Sequence, residues 1–215
     1  MTQGASPELK VLGGEVRVIV PGTWVSIPLD SAERATAFIK KLVRRQVGTA
    51  DQLARMRRQA VEELIATARE AVGAGVHTYL MSLEIAPGVP FPAALLMTDD
   101  EWPAAALPFL AEGDDEGALR AAYPDGEVAV QRNGRPAARV VEMTQGRAGD
   151  GDEAVQVLTM RLEYHMPHPK DPSRMLFVRV NVSDIPSAEP FAVLFDEIVD
   201  SIEFLDDDEG DRASA

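Results

Sequence analysis

Residues 22–29 read Gly22-Thr-Trp24-Val-Ser-Ile27-Pro-Leu29, and residues 194–205 read Leu194-Phe-Asp-Glu-Ile-Val-Asp-Ser201-Ile-Glu-Phe204-Leu205. The first segment predicts a strand that contains a tryptophan and leads into a helix. The second predicts a helix that leads into a last strand. We therefore expect one α/β domain whose two ends meet in a single sheet.

Length and composition limit the class of protein. The 215 residues fit one large domain or two small ones, and without cysteine there is no disulfide, thiolate zinc site or cysteine nucleophile. The N-terminus lacks the uninterrupted apolar run of a secretory signal. No stretch reaches the ~18 apolar residues that span a bilayer. We expect a cytoplasmic protein, and the bias toward Ala, Arg and Asp is typical of a high-GC bacterial coding sequence.

Charge is distributed unevenly along the chain. The net charge is −14, which argues against unaided binding to nucleic acid or to an anionic membrane. Residues 31–58 nevertheless carry eight basic and two acidic side chains, a net charge of +6 that leaves −20 for the remainder. Residues 206–215 contain no large apolar side chain and repel one another, so we expect a disordered acidic tail.

The beginning of the chain predicts a loose leader and then a hairpin. We assign residues 1–14 to the leader and residues 15–205 to a single domain. Residues 15–20 and 23–29 predict strands, and Pro21-Gly22 between them predicts the turn of a hairpin.

Two amphipathic helices are predicted next, as a basic helical pair within residues 31–72. Ser31 can cap the first helix, which has one apolar and one basic side. Residues 49–52 have the spacing of a capping box for the second helix. The apolar stripe of the second helix comprises Leu53, Met56, Ala60, Leu64, Ala68 and Val72.

The middle of the chain predicts strands and a short helix. Residues 76–85 and 93–98 have the pattern of strands, and Trp102-Pro103 begins a short apolar helix. Residues 112–117 are acidic and glycine-broken, which predicts a loop. Asn133-Gly134 is the favoured dipeptide of a type I′ turn and predicts a hairpin.

Residues 158–166 alternate between apolar and polar side chains, as a strand with one buried face does, and residues 174–183 predict its partner. Strands that follow one another closely in sequence pair antiparallel. The whole order of elements predicts an α+β fold, with a central, mostly antiparallel sheet and helices packed on it.

The two end segments, with the order of elements between them, resemble the PsbP-like sandwich fold. This fold is shared by an extrinsic subunit of photosystem II and by a nuclear-transport GTPase release factor. The resemblance covers most of residues 15–205, and the long basic helical pair departs from the simpler forms of the fold. It implies a non-catalytic binding module and assigns no residue a role.

Candidate catalytic and metal-binding motifs are weak. Glu163 and His165 share a strand face, but His168 follows Pro167 in a turn and His77 stands alone, so we expect a solvated strand end rather than a metal site. The chain has no Gly-x-Ser-x-Gly elbow and no phosphate-binding glycine loop. We therefore predict no catalytic residue, no metal ligand and no cofactor.

The polar face of the late hairpin is a candidate ligand site. A turn centred near Lys170 would place Arg161 opposite Arg179 and Glu163 opposite Phe177. Two arginines with a carboxylate can hold an anionic ligand, whereas the alternative is an ordinary solvated sheet face. The candidate ligand-binding residues are Arg161, Glu163, His165 and Arg179, with Asn181 on the same face.

The basic sides of the two helices are a candidate docking surface for an acidic partner or for the chain's own tail. Arg57 differs from its neighbours because it falls inside the apolar stripe. It must either meet an acid such as Glu84 or Glu142, or extend to the edge of the stripe. The candidate partner-binding residues are Arg44, Arg45, Arg55 and Arg58.

The sequence thus favours a non-catalytic interaction module, an adaptor or accessory protein that binds another protein through the basic helices. The alternative is an enzyme or a small anionic-ligand binder that uses the late-hairpin face. Nucleic-acid binding by the basic helices would require an affinity that falls steeply with salt, and we expect neither a nucleic-acid nor a membrane partner.

Overall fold

The computed structural model describes residues 8–10, 16–148, 155–185 and 187–204. The predicted acidic tail at 206–215 and most of the predicted leader at 1–14 lie outside these ranges. Eleven strands and five α-helices are described. The strands are β1 Glu8–Lys10, β2 Val16–Ile19, β3 Thr23–Ser26, β4 Thr78–Ala86, β5 Val89–Pro90, β6 Ala93–Glu101, β7 Glu127–Val130, β8 Pro136–Ala148, β9 Val155–Pro167, β10 Arg174–Ile185 and β11 Glu203–Phe204. The helices are α1 Ala32–Val47, α2 Ala54–Gly73, α3 Leu107–Ala111, α4 Asp115–Ala122 and α5 Glu189–Asp200.

Most strands belong to one antiparallel sheet of eight strands, in the order β3-β4-β6-β10-β9-β8-β7, with β5 paired to β4. A second, three-stranded sheet has the order β1-β2-β11. The predicted α+β class is confirmed, with helices packed on a mostly antiparallel sheet. Helix α4 begins at Asp115, inside the stretch predicted as a loop, because the Asp114 side chain accepts the Gly117 N–H at 2.8 Å.

The predicted first hairpin is wrong, since β2 and β3 belong to different sheets. β2 pairs with β1 and β11, whereas β3 pairs with β4. Gly22, at φ +78°, turns the chain from one sheet into the other. The chain ends do meet, because β11 lies antiparallel to β2, but Trp24 stands in the larger sheet.

One face of the large sheet packs on α5 and the small sheet. Trp24 and Phe195 contact edge to face with ring centroids 6.4 Å apart, and Phe91 stacks on Phe195 at 6.0 Å. The Trp24 indole N–H donates to the carbonyl of Pro21 at 2.8 Å. The two end segments therefore contact each other through their largest apolar side chains.

The other face carries two separate helical units. The pair α1–α2 covers β3, β4 and β6 through a cluster that contains Ile27, Ile39, Leu42 and Tyr79. The short helices α3 and α4 form a second cluster, which comprises Trp102, Ala106, Ala118, Leu119, Ala138 and Met175. Strands β10 and β9 lie between these two units in the sheet order and carry polar side chains on this face.

Substituting alanine for Gly22 tests the corner between the sheets. A Cβ atom here would lie 2.0 Å from the Glu84 carbonyl oxygen, and the positive φ disfavours any side chain. We expect Gly22→Ala to lower the free energy of unfolding by about 2–4 kcal/mol, measured by urea denaturation.

Gly88→Ala is the matched control for this substitution. Gly88 has a similar φ of +77°, but no atom lies within 4 Å of an added Cβ. Gly88→Ala should lower the free energy of unfolding by only about 1 kcal/mol, because only the positive φ disfavours the added side chain. Equal losses of unfolding free energy in the two variants would show that the close approach of Gly22 to β4 does not limit the side chain at this position.

Candidate functional site

Helix α1 forms as predicted. The Ser31 hydroxyl accepts the Arg34 N–H at 3.1 Å and caps the helix. Ala35, Ile39, Leu42 and Val43 are buried against α2 and the sheet. The basic side chains on the opposite side are exposed, and they are Lys40, Lys41, Arg44 and Arg45.

Helix α2 departs from its prediction at its start and along its stripe. The predicted cap at residues 49–52 is replaced by a short 3-10 turn, Asp51–Leu53, and α2 begins without a side-chain cap. Of the predicted stripe, Ala68 is buried, whereas Met56 and Val72 are 58% and 52% exposed. Ala68 shares a core cluster with residues of α1 and of the sheet, whereas Met56 and Val72, near the two ends of the stripe, are left uncovered.

The start of α2 is electrostatically unusual. Its first turn contains no acidic residue, and Arg55, Arg57 and Arg58 lie at this end. The N-terminus of a helix carries partial positive charge, so cations there are unfavourable by a few tenths of a kcal/mol to about 1 kcal/mol each. An anion bound beside this end would remove the penalty.

Arg57 meets no carboxylate among the described residues, and its guanidinium extends from the stripe to the connection between the helices. Its Nη1 donates to the carbonyl oxygens of Gly48 at 2.9 Å and Ala50 at 2.8 Å. It is half-buried, and it provides hydrogen bonds to backbone carbonyl oxygens that follow the end of α1. Arg57 therefore fixes the connection between the helices and brings the ends of α1 and α2 together.

Six exposed cations lie on the two helices that this connection joins, and we call them the basic patch. Arg44, Arg45, Arg55 and Arg58 lie in the turns next to the connection, and Lys40 and Lys41 lie near the middle of α1. The predicted partner-binding arginines are among them. No side-chain hydrogen bond or ion pair joins any of the six to another described residue. The basic patch comprises Lys40, Lys41, Arg44, Arg45, Arg55 and Arg58.

Most arginines elsewhere in the described ranges have partners, although the side chains of Arg69 and Arg135 also lack one. The ion pairs are Arg17–Glu203, Arg34–Asp30, Arg120–Glu116, Arg132–Glu197, Arg139–Asp196, Arg161–Glu142 and Arg179–Glu163. Four of the unpaired cations, Arg44, Arg45, Arg55 and Arg58, thus lie in the turns next to the connection between α1 and α2.

The late hairpin forms as predicted, but its predicted register is wrong by two residues. Arg179 lies opposite Glu163, Asn181 opposite Arg161, and Phe177 opposite His165. A shift of two residues keeps every side chain on its face, so the predicted polar face is correct.

The two arginines of this face are already neutralised. Arg179 Nη2 lies 3.0 Å from Glu163 Oε1, and Arg161 pairs with Glu142 while its Nε lies 3.4 Å from the same Glu163 oxygen. The best-formed cavities of the described chain are lined by other residues. An anion would have to displace a carboxylate to bind here.

His165 is buried, and its prediction as part of a solvated strand end is wrong. Its ring stacks between Tyr123, at 3.7 Å between centroids, and Phe177, at 4.8 Å. Its Nδ1 has no hydrogen-bond partner among the described residues. Burial, with a smaller effect of Arg179, lowers the pKa of His165 to about 4. The ring is neutral at pH 7 and supplies no positive charge to an anion.

His77 and His168 converge on Asp99, which the sequence did not predict. Their Nε2 atoms lie 3.4 and 3.9 Å from Asp99 Oδ1. His168 Nδ1 accepts the Asp171 N–H at 3.1 Å, so its proton is on Nε2, where a metal ion would have to bind. Within the described ranges, no group of three His, Asp or Glu side chains has the arrangement of a metal site.

The sequence also missed a polar cluster that holds α5 on the sheet. The Tyr164 hydroxyl donates to Asp196 Oδ1 at 2.8 Å, and Arg139 donates to Asp196 Oδ2 and Glu127 Oε2, each at 2.5 Å. Burial and the Asp196 carboxylate raise the pKa of Tyr164 well above its usual range. Every polar group here has a partner, so the cluster is structural.

Comparisons with known proteins add no assignment to these surfaces. Neither a scan of protein-family models nor a search of curated proteins finds a match to the chain. None of the described helices is both long and apolar enough to cross a membrane.

Substituting alanine for Arg57 separates its structural role from that of the basic patch. Arg57→Ala removes both hydrogen bonds to the connection, and we expect a loss of about 1–2 kcal/mol in the free energy of unfolding. Arg55→Ala, in the same turn but without a partner, should change it by less than about 0.5 kcal/mol. Urea denaturation measures both, and equal effects would contradict the role assigned to Arg57.

The buried His165 predicts a pH dependence. Its folded pKa of about 4 lies below the ordinary histidine pKa of about 6.5, so protonation favours the unfolded chain. The free energy of unfolding should fall by up to about 3 kcal/mol as the pH drops from about 6.5 to about 4. In His165→Phe this contribution should disappear, and the two proteins should differ in pH dependence only in this window. Parallel curves would mean that His165 titrates normally.

Proposed function

We propose that this protein is a non-catalytic interaction module, an adaptor or accessory protein, which binds an acidic segment of another protein through the basic patch. One observation carries the proposal: six exposed cations whose side chains have no partner among the described residues lie on one helical pair, in a chain whose acids outnumber its basic residues by 35 to 21. On such a chain carboxylates are abundant, and outside the basic patch most of the described arginines pair with one. A surface that lacks these pairs is available to carboxylates of a partner.

The composition of the surface supports a protein partner. Arginine and methionine are enriched at the centres of protein interfaces. Met56 is 58% exposed and stands between Arg55 and Arg57 in the sequence, so it offers apolar contact area beside the cations. Arg57 holds the two helix ends together, which limits the entropy that binding would cost.

The overall charge favours a short acidic segment over a polyanion. Charges farther apart than about 8 Å are largely screened at physiological salt, so a short segment experiences mainly the basic patch. Nucleic acid is long and uniformly charged, and it would also approach the surrounding acidic surface of a chain with net charge −14.

The alternative, a small anionic-ligand site or an enzyme on the late-hairpin face, has less support. Arg161 and Arg179 are paired with carboxylates, and His165 is buried and neutral. We also propose a bacterial, cytoplasmic setting from the composition, and a PsbP-like relationship from the two end segments. A non-catalytic role agrees with that relationship.

Charge reversal tests the proposed function. The variant Arg44→Glu, Arg45→Glu, Arg55→Glu and Arg58→Glu should lose an acidic protein that the wild type captures from a bacterial lysate, identified by mass spectrometry. Its thermal unfolding should be almost unchanged, because none of the four side chains has a described partner. Capture by the wild type should weaken as salt is raised.

The four corresponding lysine substitutions are the matched control. They preserve charge and should keep most of the binding, although lysine cannot form the two-pronged carboxylate contact of arginine. If the charge-reversed variant captures the same protein as the wild type, the basic patch is not the docking surface.

A further inference from the structure

Strand β8 is much longer than the strand that covers its outer edge. β8 spans Pro136–Ala148, but β7 pairs only with its first four residues, Pro136 to Arg139. Beyond Arg139, no strand of the described chain pairs with β8 on that side. On the other side, β9 pairs with it as far as Ala148. The large sheet therefore ends in an open edge.

The alternation of backbone groups identifies which residues face this edge. The Gln131 N–H donates to the Arg135 carbonyl at 2.8 Å, so Arg135 directs its backbone toward β7. Residues two apart in a strand direct their N–H and C=O groups to the same side. Val141 and Met143 therefore direct theirs to the open edge, whereas Glu142 directs its groups to β9.

The side chains at the edge are apolar and uncovered. Val141 and Met143 are 45% and 39% exposed. The residues of β9 that lie opposite them, Leu162 and Met160, are completely buried. The hydrophobic core therefore extends to this edge of the sheet. No element of the described chain covers Val141 and Met143 there. An exposed edge with apolar side chains is a template for pairing with another strand.

We propose that β8 of a second copy of this chain pairs antiparallel with this edge and forms a two-fold symmetric dimer. Antiparallel pairing of a strand with itself is symmetric, so the surface is its own complement. Pairing centred on Met143 places the two Met143 side chains opposite each other and Val141 opposite Gln145 of the other copy, so that Val141 and Met143 of both copies form one diagonal apolar strip. Charge favours this register over one centred on Glu142, because Glu142 then lies opposite Thr144, whereas a centre at Glu142 would oppose two carboxylates.

The dimer and the basic patch respond to salt in opposite ways. Each copy has a net charge of −14, so long-range repulsion opposes self-association and salt screens it. The dimer should not weaken as salt rises, whereas binding through the basic patch should. The two proposals are independent, since they use opposite ends of the sheet order.

Sedimentation equilibrium over a concentration series tests the dimer. The wild type should reach twice the chain mass of 23.3 kDa. Met143→Pro should remain at the monomer mass, because it removes an N–H directed to the open edge and leaves the hydrogen bonds to β9 in place. Met143→Lys, which adds a charge to the apolar strip, should also be monomeric and serves if the proline variant fails to fold.

Val72→Lys is the matched control, since Val72 is an exposed apolar residue on α2. It should dimerise like the wild type, as should the four-arginine reversal. A wild type that stays monomeric throughout the series overturns the proposal, as does a dimer that Met143→Lys leaves equally stable.

Discussion

Phe195 is completely buried between Trp24 and Phe91, and this contact determines how the chain closes. It joins the closing helix to the first strand of the large sheet and to the segment before β6. Because α5 is held there, β11 can reach β2, and the small sheet forms beside it. One face of the large sheet is thereby occupied, and the other is left to the two helical units.

Local patterns of the sequence predicted the elements better than their partners. The apolar side of α1, the Ser31 cap, the hairpin at Asn133-Gly134 and the alternation in β9 all depend on neighbouring residues, and all are present. The turn of this hairpin is not the predicted type I′, because Gln131 and Arg135 close a three-residue loop in which Gly134 has φ +80° and its N–H donates to the Gln131 carbonyl at 2.9 Å. The pairing of β2 with β11 joins segments at opposite ends of the chain, which no local pattern specifies. The predicted register of the late hairpin was wrong by two residues, because the turn is centred one residue later than Lys170.

The candidate site shows the same division between local and long-range information. The exposure of Arg44, Arg45, Arg55 and Arg58 followed from helical periodicity and agrees with the structure. The burial of His165 was not predicted, because Tyr123 directly follows α4, an element that the sequence did not predict. The convergence of His77 and His168 on Asp99 was also missed, since it joins β6 to residues just before β4 and just after β9, and the order of these strands in the sheet was unknown.

Neighbouring arginines of α2 differ in role because successive helical residues are about 100° apart around the axis. Arg57 turns toward the connection and bonds two carbonyl oxygens, while Arg55 and Arg58 turn to solvent. The inward arginine fixes the backbone that presents the outward ones. The sheet order then places this surface above β3, β4 and β6, far from the open edge of β8. A dimer formed through β8 would leave both basic patches accessible, so a partner with two acidic segments would bind with increased avidity.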